Sequence, residues 1–285
     1  MSMLARGSAD GISYLRAGSD GAFAFVLLHG IGSNADSFVP LIEAWNGRYS
    51  VVAWNAPGYG DSEPLALDWP DPSDYASALD RLLQELGIER CALVGHSLGA
   101  LIAARYSLER QSRVLALILI SPALGYAAAK GNPLPDAVAA RINDLDRLGV
   151  EEFAAKRAPA LLFEPGARTE LVRSIEQAMA AIRRPGYDQA ARMLAVGSLL
   201  SDATRLSVPT AVIVGSQDRI TPPENARKLW DALTGSTKRC GFHELQAAGH
   251  AICQERPHEV AALLSELIEE ICLLNSVGSD PTVAN

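Results

Sequence analysis

The chain has 285 residues, 48% of them apolar and 20% charged, with a formal net charge of −8. That is length enough for a large core, and the composition is that of an ordinary soluble globular protein. The acidic balance excludes the basic surface that nucleic-acid binding requires.

Met1 to Gly21 carries Asp10 and Asp20 and no apolar run of signal-peptide type, so a cytosolic protein is expected. Strand character over 12–16 is followed by an apolar stretch at 22–28, far too short to span a membrane and expected as a buried strand over 23–28. No membrane partner is expected. Further strands are expected at 51–55, 91–94 and 114–120, alternating with helices near 38–45, 75–86 and 98–108. Asp74 is placed to cap the helix that Gly87 stops. Continuous apolar strands separated by helices imply a mostly parallel sheet covered on both faces.

The alternation breaks after Ser121. From 122 to about 202 the pattern is helical, near 136–148, 150–158, 169–182 and 187–200, punctuated by five prolines from Pro133 to Pro185. Acidic and basic residues are equal in number there, so the acidity belongs to the rest of the chain. Strand pattern resumes at 210–214 and 241–245, with helices at 224–233 and 258–274 and a small, polar tail at 275–285 that is expected to fray. Cys91, Cys240, Cys253 and Cys272 show neither paired nor metal-type spacing. Cys91, in a strand, and Cys272, on a helix, read as buried free thiols.

The chemistry gathers at strand ends. Gly95-His96-Ser97-Leu98-Gly99 follows a strand and opens a helix, the setting in which a sharp turn exposes a serine hydroxyl and the glycines at 95 and 99 avoid collision. A serine nucleophile needs a base and a group to orient that base. Of five histidines, His250 alone stands in a small-residue loop, Gly249-His250-Ala251, after the last strand. His96 lies inside the turn with its ring directed away from the hydroxyl, and His29 is expected to shape a loop. His243 is assigned a structural place and His258 a cap or surface place. Asp218, after the strand at 210–214, is the orienting acid, and the order Ser97, Asp218, His250 fits. The Leu98 N–H and the Ile31 N–H are the expected oxyanion donors, with Gly30 allowing close approach.

Leu27-Leu28-His29-Gly30, the turn Ala56-Pro57-Gly58-Tyr59-Gly60, the serine elbow, Asp218 and Gly249-His250 together resemble the α/β-hydrolase superfamily over nearly the whole chain. The resemblance implies an eight-stranded, mostly parallel sheet flanked by helices, with a helical lid inserted after strand 6. Residues 1–121 and 204–285 would form the core and 122–203 the cap. It implies a serine hydrolase with catalytic Ser97, Asp218 and His250, no metal or organic cofactor, and a small ester or lactone as substrate. Enol-lactonases of the 3-oxoadipate type, carboxylesterases and meta-cleavage-product hydrolases are the similar capped members. His96 and Leu98 beside the serine tilt toward ester or lactone cleavage. Carbon–carbon hydrolysis of a dienoic keto acid is the alternative, for which Arg183, Arg184 or Arg192 would hold a carboxylate. A ligand receptor without turnover is the third reading. Asn55 stands where an aspartate is common, a departure that touches loop structure. Oligomeric state is left open.

Overall fold

The computed structural model describes residues 4–18, 23–233 and 239–277. Strands β1 (Ala5–Ala9) and β2 (Ile12–Ala17) form an antiparallel hairpin. Its two-residue turn is Asp10-Gly11, both at positive φ (48° and 71°), as a twisted hairpin requires. The sequence pattern missed β1, whose largely exposed Ala-Arg-Gly-Ser-Ala has no apolar alternation. β3 (Ala24–Leu28), β4 (Ser50–Trp54), β5 (Cys91–His96), β6 (Val114–Ile120), β7 (Thr210–Gly215) and β8 (Arg239–Leu245) complete an eight-stranded sheet in the order β1-β2-β4-β3-β5-β6-β7-β8. β2 joins β4 antiparallel, and every pairing from β4 to β8 is parallel.

Side chains alternate between the two faces. Phe25, Leu27, Val94 and Ile118 pack with α1 (Val39–Ala44) and, beyond it, a long C-terminal helix, while Val26, Leu28, Leu93 and Leu117 pack with α2 (Pro72–Glu85) and α3 (Leu98–Glu109). Cover on both sides explains why β3 to β7 read as unbroken apolar runs. α2 begins three residues earlier than its apolar period suggested. Pro72 occupies its first turn and Asp71, not Asp74, is the cap: Asp71 Oδ1 accepts from the Ser73 N–H at 2.8 Å, and Asp74 reaches back to the Asp71 N–H at 2.8 Å.

Between β6 and β7 the chain forms only helices: α4 (Asp136–Arg157), α5 (Thr169–Ala180), α6 (Gly186–Val196) and α7 (Leu199–Ala203), with short 3-10 turns. α4 is broken at Gly149, whose φ of 73° and ψ of 173° are not helical, so its halves match the two helices expected at 136–148 and 150–158. On a straight helix, residues twelve apart are separated by about 18 Å. Here Lys156 Nζ lies 3.0 Å from Asp144 Oδ2, so the bend folds one half back toward the other. Gly197 and Ser198 divide α6 from α7, where one helix was expected.

After β7 come α8 (Pro223–Ala232), β8, a single turn α9 (Ile252–Glu255) and the long α10 (Pro257–Val277). Cys91 and Cys253 are buried free thiols, but Cys272 is exposed, on the outer side of α10. The frayed tail expected at 275–285 lies outside the described residues from 278 onward. No described helix is long and apolar enough to cross a membrane.

Candidate active site

Ser97 joins β5 to α3 at φ 53° and ψ −115°, a conformation that non-glycine residues rarely hold. It is held there from outside: its N–H donates to the Ile120 carbonyl at 2.9 Å, and its own carbonyl accepts from the Ala123 N–H at 3.1 Å. The flanking glycines are required by close backbone approach. A Cβ on Gly95 would lie 2.5 Å from the Gly99 carbonyl oxygen, and one on Gly99 would lie 2.2 Å from that of Leu28. Gly30 faces the serine itself, since a Cβ there would stand 3.0 Å from Ser97 Cβ.

Asp218 follows β7, and its carboxylate is saturated. Oδ1 accepts from the Ile220 and Thr221 N–H groups at 2.8 and 2.9 Å, and Oδ2 accepts from His250 Nδ1 at 2.9 Å. Burial pushes its pKa up, but the charge and hydrogen bond of His250 and the two backbone donors outweigh that and bring it down to about 2. An ionised carboxylate only accepts, so the His250 proton sits on Nδ1 and Nε2 is left for chemistry. Thr221 is a partner that the motif reading missed. Its hydroxyl lies 2.9 Å from Asp218 Oδ2, 2.9 Å from the Ser121 carbonyl and 3.2 Å from His250 Nδ1. A hydroxyl three residues after the aspartate, directly behind Asp218-Arg219-Ile220, was the available signal.

The other histidines build the frame. His29 Nε2 accepts from the Ala56 N–H at 3.0 Å, so its Nδ1–H donates to the Gly30 carbonyl at 2.8 Å and pins the loop that carries Ile31. Burial lowers its pKa to about 4. His96 donates from Nε2 to the His250 carbonyl at 2.8 Å, and burial, then the neighbouring His250, lower its pKa to about 3. His243 lies on β8 and His258, exposed, on α10. Asn55 bridges the Ala35 N–H and the Ser13 hydroxyl, a loop role.

The helical insertion closes over these strand ends. Glu255 ties it down, accepting from the Phe163 N–H at 2.8 Å with one oxygen and from the Gly249 N–H at 2.7 Å with the other. Ser97, His250, Ile31 and Leu98 share a cavity of about 540 Å³ with residues of the insertion. Neither the Ile31 nor the Leu98 N–H has an acceptor among the described residues. The three arginines singled out for a carboxylate are elsewhere. Arg183 binds the Gly60 and Ser62 carbonyls, Arg184 pairs with Asp146 at 2.6 Å, and Arg192 binds the Asp68 carbonyl at 2.6 Å. The cations that do line the cavity are Arg141, Lys156 and Arg157, all from α4.

Residues 25–263 match the alpha/beta hydrolase family. The chain belongs to that family. It is 26% identical over 246 residues to a 2-hydroxy-6-oxononadienedioate/2-hydroxy-6-oxononatrienedioate hydrolase of Pseudomonas putida, covering 81% of this chain and 82% of that protein. It is also 26% identical over 258 residues to a dihydrolipoyllysine-residue acetyltransferase component of the acetoin cleaving system from Cupriavidus necator, where 90% of this chain spans 66% of the relative. Among solved structures, the enol-lactonase from Burkholderia xenovorans LB400 superposes with a TM-score of 0.80 at 19% identity, over 93% of this chain and all of that one. The hydrolase sheet expected from the sequence is therefore the observed fold.

Proposed function

We propose that this hydrolase cleaves a small carboxylic ester or lactone through an acyl-enzyme at Ser97. The observation that carries the reading is the 2.9 Å bond from His250 Nδ1 to a buried, ionised Asp218, beside a cavity that both His250 and Ser97 line. His250 Nε2 takes the Ser97 proton as Oγ bonds to the substrate carbonyl carbon, and the carbonyl π electrons move onto oxygen. The Ile31 and Leu98 N–H groups hold that oxyanion, an interaction typically worth on the order of 3 kcal/mol per donor. Collapse breaks the bond to the leaving oxygen, which takes the proton back from His250. Water, deprotonated by the same nitrogen, then releases the acid. No cofactor enters the scheme. The insertion, residues 122–203, acts as the cap of the site and Gly95, Gly99 and Gly30 give it its shape.

A second reading, hydrolysis of a carbon–carbon bond in a dienoic keto acid by the same residues, draws on the similarity to the Pseudomonas putida enzyme across 82% of its length. A panel of lactones and p-nitrophenyl acetate or butyrate, run beside a panel of ring-fission products, separates the two. Ser97→Ala abolishes turnover and labelling by a fluorophosphonate. Wild-type protein that neither hydrolyses any ester nor takes the label would leave a ligand receptor as the surviving reading.

A further inference from the structure

We infer that the cavity over Ser97 seats an anionic group of the substrate, a carboxylate or a phosphate, on the guanidinium groups of Arg141 and Arg157. The inference rests on the hydrolase reading for the reacting end of the substrate and on the cap side chains for the other.

No aspartate or glutamate lines the cavity, among the described residues. Arg141 makes no ion pair among them; its one side-chain partner is the Tyr187 hydroxyl at 3.4 Å. Arg157 lies over the Phe153 ring, 5.0 Å from its centre, and its nearest carboxylate is Asp144 at 3.8 Å. Asp144 is already engaged by Lys156 at 3.0 Å and Arg147 at 3.2 Å, so one carboxylate stands against three cations and Arg141 stands against none. Burial, and then the nearby positive charge of Arg141, disfavour the charged form of Arg157. Two such groups facing a cavity are unfavourable until an anion arrives.

The arrangement is also preformed. Phe153 packs edge-on against buried Tyr187, 5.7 Å between ring centres, so the ring under Arg157 and the phenol beside Arg141 brace each other. A guanidinium held by a ring face, like Arg157, or by one phenol, like Arg141, keeps most of its donors, which suits the two oxygens of a carboxylate or phosphate. In a chain of net charge −8, this concentration of positive charge is local to the cavity. Leu124, Leu161, Met179 and Leu194 line the same cavity, so the rest of the substrate would meet apolar walls.

The test compares the mono-p-nitrophenyl ester of glutaric acid with the neutral p-nitrophenyl pentanoate. Wild-type protein should prefer the anionic ester by about tenfold or more in kcat/KM. Arg141→Gln and Arg157→Gln should each collapse that preference, mainly through KM, while Arg192→Gln, on the cap but off the cavity, keeps it. A preference for the neutral ester, or one that survives both cavity variants, overturns the inference. Calorimetry with glutarate and with inorganic phosphate on Ser97→Ala protein needs no turnover. Binding that Arg141→Gln removes supports the anion seat even if neither ester is hydrolysed, and which of the two ions binds assigns the source. Failure of both to bind in the millimolar range overturns it.

Discussion

His96 Nε2 donates to the backbone carbonyl of His250 across 2.8 Å, and the two imidazole rings stand 4.9 Å apart. The residue next to the proposed nucleophile thereby holds the loop that carries the proposed base. One net hydrogen bond is worth about 1 kcal/mol, so His96→Ala is expected to lower kcat by up to roughly tenfold with little change in KM. His96→Gln, which keeps a donor of similar reach, is expected to recover part of that loss. Steady-state kinetics on both variants checks it; loss in KM alone would assign His96 to substrate contact instead.

Acid should destabilise this fold unusually early. His29 and His96 are buried and neutral, with pKa values near 4 and 3 against 6.5 in the unfolded chain. As pH falls below 6.5 the unfolded chain binds protons that the folded chain refuses, so stability is full above that value and declines below it. By pH 5 each ring contributes a loss of about 2 kcal/mol. Urea unfolding at pH 8, 6 and 5 measures the slope, and His96→Gln should reduce it.

Asp218→Asn is expected to lower kcat by about a thousandfold to ten-thousandfold, because an amide can donate to His250 and favour the wrong tautomer. Thr221→Val removes a hydroxyl within 3.2 Å of both partners of that pair and should cost far less, roughly tenfold. Equal losses in the two variants would show that fixing the aspartate matters more than its charge.

Glu255→Gln replaces one accepting oxygen by a donating amide, so either the Phe163 or the Gly249 N–H loses its acceptor. An unsatisfied buried donor costs about 1–3 kcal/mol. The expected result is a lower denaturation midpoint together with faster amide exchange at 161–163 and 249–251, read by hydrogen exchange with mass spectrometry. Exchange changes confined to α10 would contradict the cap-tethering role.

Much of this was legible in the chain. β3, β5, β6 and β7 are apolar on both faces, so their type and order are visible without tertiary knowledge, and the residues at their ends could be named. β1 was not, because an exposed edge strand of Ala-Arg-Gly-Ser-Ala carries no burial pattern; its Asp10-Gly11 turn was the overlooked sign. The cations that line the cavity were not singled out, for a different reason. Arg183, Arg184 and Arg192 are adjacent to helical apolar residues just as Arg141 and Arg157 are, and periodicity says which side of a helix is apolar without saying what that side meets. Arg183 and Arg192 instead spend their guanidiniums on carbonyls of the 60–68 segment.

The bend at Gly149 sets a rotational phase as well as a direction. Each residue of an α-helix turns it by about 100°. One residue added or removed at the bend would therefore swing Phe153, Lys156 and Arg157 a quarter-turn or more around their axis, away from Asp144 and Arg141. No Cβ neighbour crowds Gly149, so nothing packed resists such a change in length there. The electrostatic character of the cavity is thus adjustable by chain length at one exposed corner, while the sheet, the serine turn and the Asp218–His250 pair stay as they are.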